Sequence, residues 1–294
     1  MTNSTLSIQH STFLDAHVHF WKYDAENPEF DWIDSTMSKI SKTFLPENLI
    51  QNSKSNIQNF IAVQASQTWQ ETEFLLDLAS KHAFIKGVVG WIDLVQSEEF
   101  IVRSIQNFNY EPSTINYKLL KGFRHILQAE PKGFMLQSRF IEGIKTIGKL
   151  GYTYDILIKY TQLDEAFELV KQSPNQKFVI DHLAKPDIKN REIELWKKGI
   201  SKFATVDNVY CKVSGMVTEA DWGNWKKEDF NPYLDTVFNV FGTDRIMFGS
   251  DWPVCLLAGG YEQALNIVEE YISTLSENEK QKIMATNAAT FYNI

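Results

Sequence analysis

The stretch FLDAHVHFW at residues 13–21 sets His17 and His19 two positions apart, with Asp15 two positions earlier. Side chains alternate along a β-strand, so Asp15, His17 and His19 are expected on one face and Leu14, Ala16 and Val18 on the other. Paired imidazoles suit ligation of a metal or polarisation of a carbonyl and its attacking water. Four further residues could join them: Arg124 and His125 close the run LLKGFRHI, His182 follows FVID, and Asp251 follows FGS. A carboxylate such as Asp251 can take a proton from water, a contribution of roughly 10² to 10⁴ in rate. An arginine or imidazole N–H aimed at a developing oxyanion is worth ~3 kcal/mol. The chain contains no G-x-S-x-G nucleophile elbow, and Cys255, four residues past Asp251, is not read as a nucleophile.

These residues need a scaffold that gathers strand ends. Eight β-like runs begin near residues 13, 59, 85, 119, 151, 177, 208 and 244, and the segments between them read as amphipathic helices. In ETEFLLDLASKH, Phe74, Leu75 and Leu78 form one stripe. Thr161 with Asp164, and Ser276 with Glu279, have capping-box spacing, and Gly151 stands where a helix C-cap glycine would. Strands alternating with helices pair in parallel through right-handed crossovers. Eight such units in a chain of 294 residues match a closed (β/α)8 TIM barrel. A doubly wound open sheet is the alternative, but no glycine-rich phosphate loop follows the first strand. In a barrel, function gathers at the C-terminal strand ends. There stand His17, His19, Gln64, Trp91, Asp93, Arg124, His125, His182 and Asp251, whereas His10 and His82 lie elsewhere.

Each residue alone has a plainer reading. A lone strand histidine is usually a satisfied core group, Asp251 before Trp252-Pro253 suits a helix N-cap, and Arg124 suits a structural ion pair. Their joint placement on one rim favours a site. Trp21, Trp91, Trp252, Trp222 and Trp225 offer aromatic faces to a sugar ring or pack loops, and residues 218–229 are long enough for a lid.

Composition narrows the partners. With 44% hydrophobic residues, a net charge of -8 and no long basic run, nucleic acid is not expected. No apolar run reaches the ~18 residues of a membrane span. The opening MTNSTLSIQHST lacks the basic and apolar regions of a signal peptide, and two cysteines make no disulfide framework, so a cytoplasmic location is expected. The whole chain, 1–294, reads as one barrel domain with a polar N-terminal extension over 1–11, and a homo-oligomer is allowed.

In this order, LDAHVHFW, GWIDL, GFRH, FVIDHLAKP, CKVSGM and FGSDWPV resemble the sugar-lactone hydrolase branch of the amidohydrolase superfamily, from about residue 13 to the C-terminus. That branch includes fuconolactonases, rhamnonolactonases and 2-pyrone-4,6-dicarboxylate lactonase-like enzymes. The resemblance implies a (β/α)8 barrel that opens a fuconolactone- or rhamnonolactone-like aldonolactone to its hydroxy acid. It makes Asp251 the base that activates water, with His17, His19 and His182 around the carbonyl. Arg124, His125, Gln64, Trp91 and Trp252 are then candidate substrate contacts, Arg124 being preferred over His125 because alternation points only one of them inward. Binuclear members add a Lys or Glu from the fourth strand and a histidine from the fifth. Here the fourth strand offers Arg124 and His125 and GYTYDILIK contains no histidine, so the expectation is no required cofactor, or one Zn²⁺ on His17, His19, His182 and Asp251. The competing functions are a mononuclear Zn-dependent decarboxylase or amidohydrolase, and a non-catalytic sugar-acid binding barrel.

Overall fold

The computed structural model describes residues 13–52, 57–107 and 116–294, so the expected N-terminal extension over 1–11 lies outside the described residues. Eight strands run parallel in sequence order: β1 (Phe13–Val18), β2 (Ile57–Val63), β3 (Ile85–Gly90), β4 (Leu120–His125), β5 (Thr153–Ile156), β6 (Phe178–Ile180), β7 (Val209–Val213) and β8 (Ile246–Phe248). The barrel closes between its first and last strands through a parallel bridge from Val18 to Trp252. His19 N–H donates to the Trp252 carbonyl at 2.7 Å, and Asp251 N–H donates to the His17 carbonyl at 2.9 Å.

Among the described residues ten α-helices accompany the strands: α1 (Pro46–Asn52), α2 (Trp69–Lys81), α3 (Glu98–Asn107), α4 (Ser138–Lys149), α5 (Leu163–Gln172), α6 (Glu194–Ile200), α7 (Asn231–Phe241), α8 (Tyr261–Tyr271), α9 (Glu277–Gln281) and α10 (Asn287–Tyr292). The longer helices bury one stripe each, as in α2, where Leu75, Leu76, Leu78 and Ala79 are buried while Phe74 is half-covered. Gly151 follows α4 at φ +87, a conformation glycine adopts freely. The expected box at Ser276 forms on α9: Glu279 N–H donates to Ser276 Oγ at 3.3 Å, and Ser276 N–H donates to Glu279 Oε2 at 3.0 Å. The box expected at Thr161 and Asp164 does not form. Lys159 N–H instead donates to Gln162 Oε1 at 3.0 Å ahead of α5, and Asp164 pairs with Lys202. Among the described residues no helix is long and apolar enough to cross a membrane.

Two apolar layers follow from strand alternation. Phe60, Ala62, Val88, Phe123, Ile156, Phe178, Cys211 and Phe248 pack outward into the helical shell, while Leu14, Ala16, Ile61, Val63, Val89, Val179 and Met247 fill the barrel's inside. Ala288, Phe291 and Tyr292 of α10 join the inner cluster, and the Phe291 ring meets Tyr210 near the start of β7. Helix α10 therefore plugs the end where the strands begin, and the other end is left for a site.

Strand β1 departs from the expected alternation. Leu14 and Ala16 lie in the inner cluster, Val18 in the outer one, and the pairing register slips between Asp15 and Val18. The cause is Asp15, whose Oδ1 accepts the backbone N–H of its neighbour His17 at 3.0 Å and that of Ser250 at 2.9 Å. A side chain that captures a nearby N–H competes with the strand ladder. Asp15 thus pins the first strand to the last and leaves His17 and His19 to form the site.

Candidate active site

Asp251, three residues past the end of β8, lies at the centre of the open end. Its Oδ1 is 3.4 Å from His19 Nε2, 3.9 Å from His17 Nε2 and 3.9 Å from His182 Nε2, and all four side chains are buried. Two glycines make that crowding sterically allowed. A Cβ on Gly249 would stand 2.7 Å from His17 Cβ, and one on Gly215 would stand 2.6 Å from His182 Nδ1. Asp251 itself adopts φ +60, a left-handed conformation that Asp tolerates better than most residues.

One hydrogen bond fixes which ring nitrogen of His19 carries hydrogen. His19 Nδ1 lies 2.7 Å from the Val63 carbonyl, which can only accept, so the hydrogen of His19 is on Nδ1 and its Nε2 presents a lone pair. Lys212 Nζ lies 3.1 Å from His17 Nδ1 and can only donate. Arg124 NH1, which also can only donate, lies 3.2 Å from His17 Nε2, so both ring nitrogens of His17 face cations, and Nε2 stands 3.1 Å from that of His19. His182 Nδ1 lies 2.9 Å from Ser214 Oγ.

Beneath the imidazoles runs an ionic layer. Lys212 Nζ lies 2.5 Å from Asp155 Oδ2 and 3.0 Å from Asp181 Oδ1. Arg124 NH1 donates to Asp181 Oδ2 at 3.0 Å, Arg124 NH2 donates to the Gln64 carbonyl, and Tyr292 OH donates to Asp155 Oδ2 at 2.8 Å. Two cations and two carboxylates thus sit inside the barrel almost out of reach of solvent. Such charges survive burial only when paired.

Electrostatics follow from this packing. Burial pushes His182 down to about 4 and lowers His19. Burial and the Lys212 charge hold His17 well below its ordinary value. All three imidazoles are therefore neutral near pH 7. Asp251 is raised by burial but carried well below the usual carboxylate range by His182, His19 and His17, so it is ionised. Asp155 is pushed up to about 6 by burial despite Lys212, whereas Lys212, His17 and Arg124 overcome burial at Asp181 and hold it low.

A cavity of about 140 Å³ opens over this cluster, lined by His19, Arg124, His182 and Asp251 with Ala65, Ile126, Leu157 and Val254, and rimmed by Trp32, Gln128 and Lys185. Four expected substrate contacts are not in that lining. His125 points into the helical shell, with Nε2 2.8 Å from Glu130 Oε1 and its ring stacked on Phe134. Trp91 donates its Nε1–H to His125 Nδ1 at 3.3 Å. Trp252 is fully buried against Phe20 and Phe44, as strand alternation after Asp251 dictates. Gln64 is also fully buried, and its Nε2 donates to the Arg124 carbonyl at 3.1 Å, so it supports Arg124 from behind. In the expected lid, Trp222 donates to the Thr218 carbonyl within the segment, and Trp225 donates to the Ala258 carbonyl, tying 218–229 to the loop after β8. Trp32, Gln128, Lys185, Asp155 and Lys212 went unrecognised in the sequence. Asp155 and Lys212 carried one signal, a charge flanked by apolar residues in mid-strand.

The sequence model of the amidohydrolase family matches residues 14–294, nearly the whole barrel and every residue of the site. The chain belongs to the amidohydrolase family. Among relatives of this amidohydrolase is an L-fucono-1,5-lactonase of Burkholderia multivorans, 34% identical over 293 residues and covering 95% of each chain. Two crystal structures of an amidohydrolase from Burkholderia multivorans, one with bound HEPES and one with bound zinc, superpose with TM-scores of 0.88. Both are 33% identical and cover 96% of this chain and 99% of the other.

Proposed function

We propose that this amidohydrolase opens a sugar-acid lactone to its hydroxy acid, with Asp251 as the base that activates water. The observation that carries the reading is the Asp251 carboxylate ringed by three neutral imidazoles at 3.4 to 3.9 Å, longer than direct hydrogen bonds and suited to a shared water. The similarity to an L-fucono-1,5-lactonase along 95% of the chain supports the substrate class.

In this mechanism Asp251 takes a proton from the water as its oxygen bonds to the lactone carbonyl carbon. Arg124 lines the cavity, and its buried Nε–H finds no hydrogen-bond partner among the described residues, which leaves a donor for the developing oxyanion. Collapse of the tetrahedral intermediate breaks the bond to the ring oxygen. The proton held by Asp251 then passes to that oxygen, giving a free hydroxyl and a carboxylic acid that ionises. His182, held by Ser214, orients the water and the ring oxygen, and the rings of His17 and His19 wall in the carboxylate. Cys211 and Cys255, both free and buried, agree with a reducing cytoplasm.

The donor set also fits one metal ion. Ligand atoms of His17, His19 and Asp251 lie within 4.8 Å of one another, and His182 faces the same carboxylate oxygen. A Zn²⁺ bound there would supply Lewis acidity and a more acidic water. To ligate through Nε2, His17 would carry its hydrogen on Nδ1, where Asp181 Oδ1 stands at 3.4 Å. Lys212 and Arg124, 3.1 and 3.2 Å from the two nitrogens of His17, set two positive charges beside that position. We therefore favour turnover that does not require the ion. A pH-indicator assay on sugar-acid lactones before and after exhaustive chelation tests this. Survival of activity supports it, and loss restored by Zn²⁺ moves the reading to a metal-dependent hydrolase or decarboxylase.

A further inference from the structure

The turn after β6 is built in an unusual way. Four consecutive non-glycine residues, His182, Leu183, Ala184 and Lys185, have φ values of +53, +54, +60 and +48. Left-handed conformation is costly for each of them, and such segments persist where the surroundings demand a particular placement. Lys185 N–H donates to the His182 carbonyl at 2.7 Å, an i to i+3 closure that sets these two side chains on one side of the turn. Both line the cavity, His182 at its floor and Lys185 at its rim.

The ammonium of Lys185 is anchored but not saturated. Its Nζ approaches Glu219 Oε1 at 3.8 Å, beyond hydrogen-bond length, and Lys185 is half-buried. Gln128, on the same rim, has a buried Oε1 that finds no hydrogen-bond partner among the described residues. A buried acceptor without a donor is costly. The cavity lining therefore includes a charged donor and an unmet acceptor besides the groups around Asp251.

We propose that Lys185 and Gln128 form a hydroxyl-reading subsite, Lys185 donating to one ring hydroxyl of the substrate and Gln128 Oε1 accepting from another. The subsite rests on the lactone reading of the cavity and deepens it. The pair selects polyhydroxylated lactones over bare cyclic esters and acts on substrate affinity rather than on the chemical step. Ile126, Leu157 and Val254 then cover the apolar edge of the ring between the two polar contacts.

The test uses Lys185→Met and Gln128→Leu, each made singly, with glucono-1,5-lactone as the hydroxylated probe and δ-valerolactone as the bare one. In the active enzyme each variant is expected to raise KM for the hydroxylated lactone roughly 10- to 100-fold, the range for a lost hydrogen bond to a charged or buried partner. Its kcat, and both constants for δ-valerolactone, should change little. The same variants in an Asp251→Asn background are titrated calorimetrically with the hydroxylated lactone, so that affinity is read without turnover. Weaker binding in both variants supports the subsite. Unchanged binding in either folded variant, or an equal loss on both lactones, overturns it. Absence of lactone turnover by the unmodified enzyme counts against the proposed reaction alone, because the titration still reads the subsite.

Discussion

The backbone N–H of Asp251 donates to the carbonyl of His17 at 2.9 Å, and this one bond both closes the barrel and sets the carboxylate against the imidazole. His19 N–H repeats the arrangement on Trp252 at 2.7 Å. The seam between the first and last strands is thus the catalytic seam in our account, and the geometry of the site follows from how tightly it closes.

Gly249 sits on that seam. An added Cβ would come 2.7 Å from His17 Cβ, a carbon held close to the backbone with little freedom to move. Gly249→Ala should therefore displace His17 and destabilise the fold by about 1–3 kcal/mol, the usual cost of overpacking. Urea unfolding together with kcat on the best lactone would check this, and both should fall.

Arg124 is expected to supply the oxyanion donor. Arg124→Gln keeps a neutral donor but loses the charge, and should lower kcat by about 10²- to 10³-fold. Steady-state kinetics decide the point. A rise in KM alone would instead make Arg124 a ground-state contact.

Lys212 pairs with two buried carboxylates at once. Lys212→Met leaves Asp155 and Asp181 short of a partner, and should cost about 3–5 kcal/mol. The double variant Lys212→Met/Asp155→Asn should recover part of that loss, because one of the stranded charges is gone. Chemical denaturation of the three proteins at pH 7 measures the coupling.

The depressed His182 gives stability a definite pH dependence. Unfolded, it binds a proton below its ordinary 6.5, but folded only below about 4, so the unfolded state holds more protons between these values. Stability from this residue is fully present above about pH 6.5 and is lost as pH falls toward 4, by about 3 kcal/mol in all. Asp155, raised to about 6, has the opposite sign over part of the range, so the comparison must be differential. The stability gap between wild type and His182→Gln should shift by that amount, in favour of wild type, from pH 4 to pH 7.

All eight strands, the barrel and five residues of the rim were legible in the sequence, because strand ends carrying His17, His19, Arg124, His182 and Asp251 stand out from apolar runs. Alternation also separated Arg124, which lines the cavity, from His125, which does not. It failed in β1, where a side-chain bond from Asp15 to the His17 backbone overrides the ladder, and no spacing rule foresees that capture. The ionic layer was harder to see. Asp155 and Lys212 each look like an isolated charge in a strand, and only the closed barrel reveals that they meet at 2.5 Å. Trp32 enters from the long connection after β1, whose length gives no hint of where its tip lands. Trp91 and Trp252 follow strand ends as expected, but Trp91 bonds His125 and Trp252 packs on Phe20 and Phe44.

The most direct test of the account is acid release from sugar-acid lactones by chelator-treated wild type and Asp251→Asn, with lactone binding measured alongside. Asn tolerates the left-handed backbone at this position, so the fold should hold. The account predicts brisk hydrolysis by the chelated wild type, and a fall of about 10² to 10⁴ in kcat for the variant with affinity retained. Undiminished turnover in Asp251→Asn, or no turnover by the wild type until Zn²⁺ is restored, would contradict it.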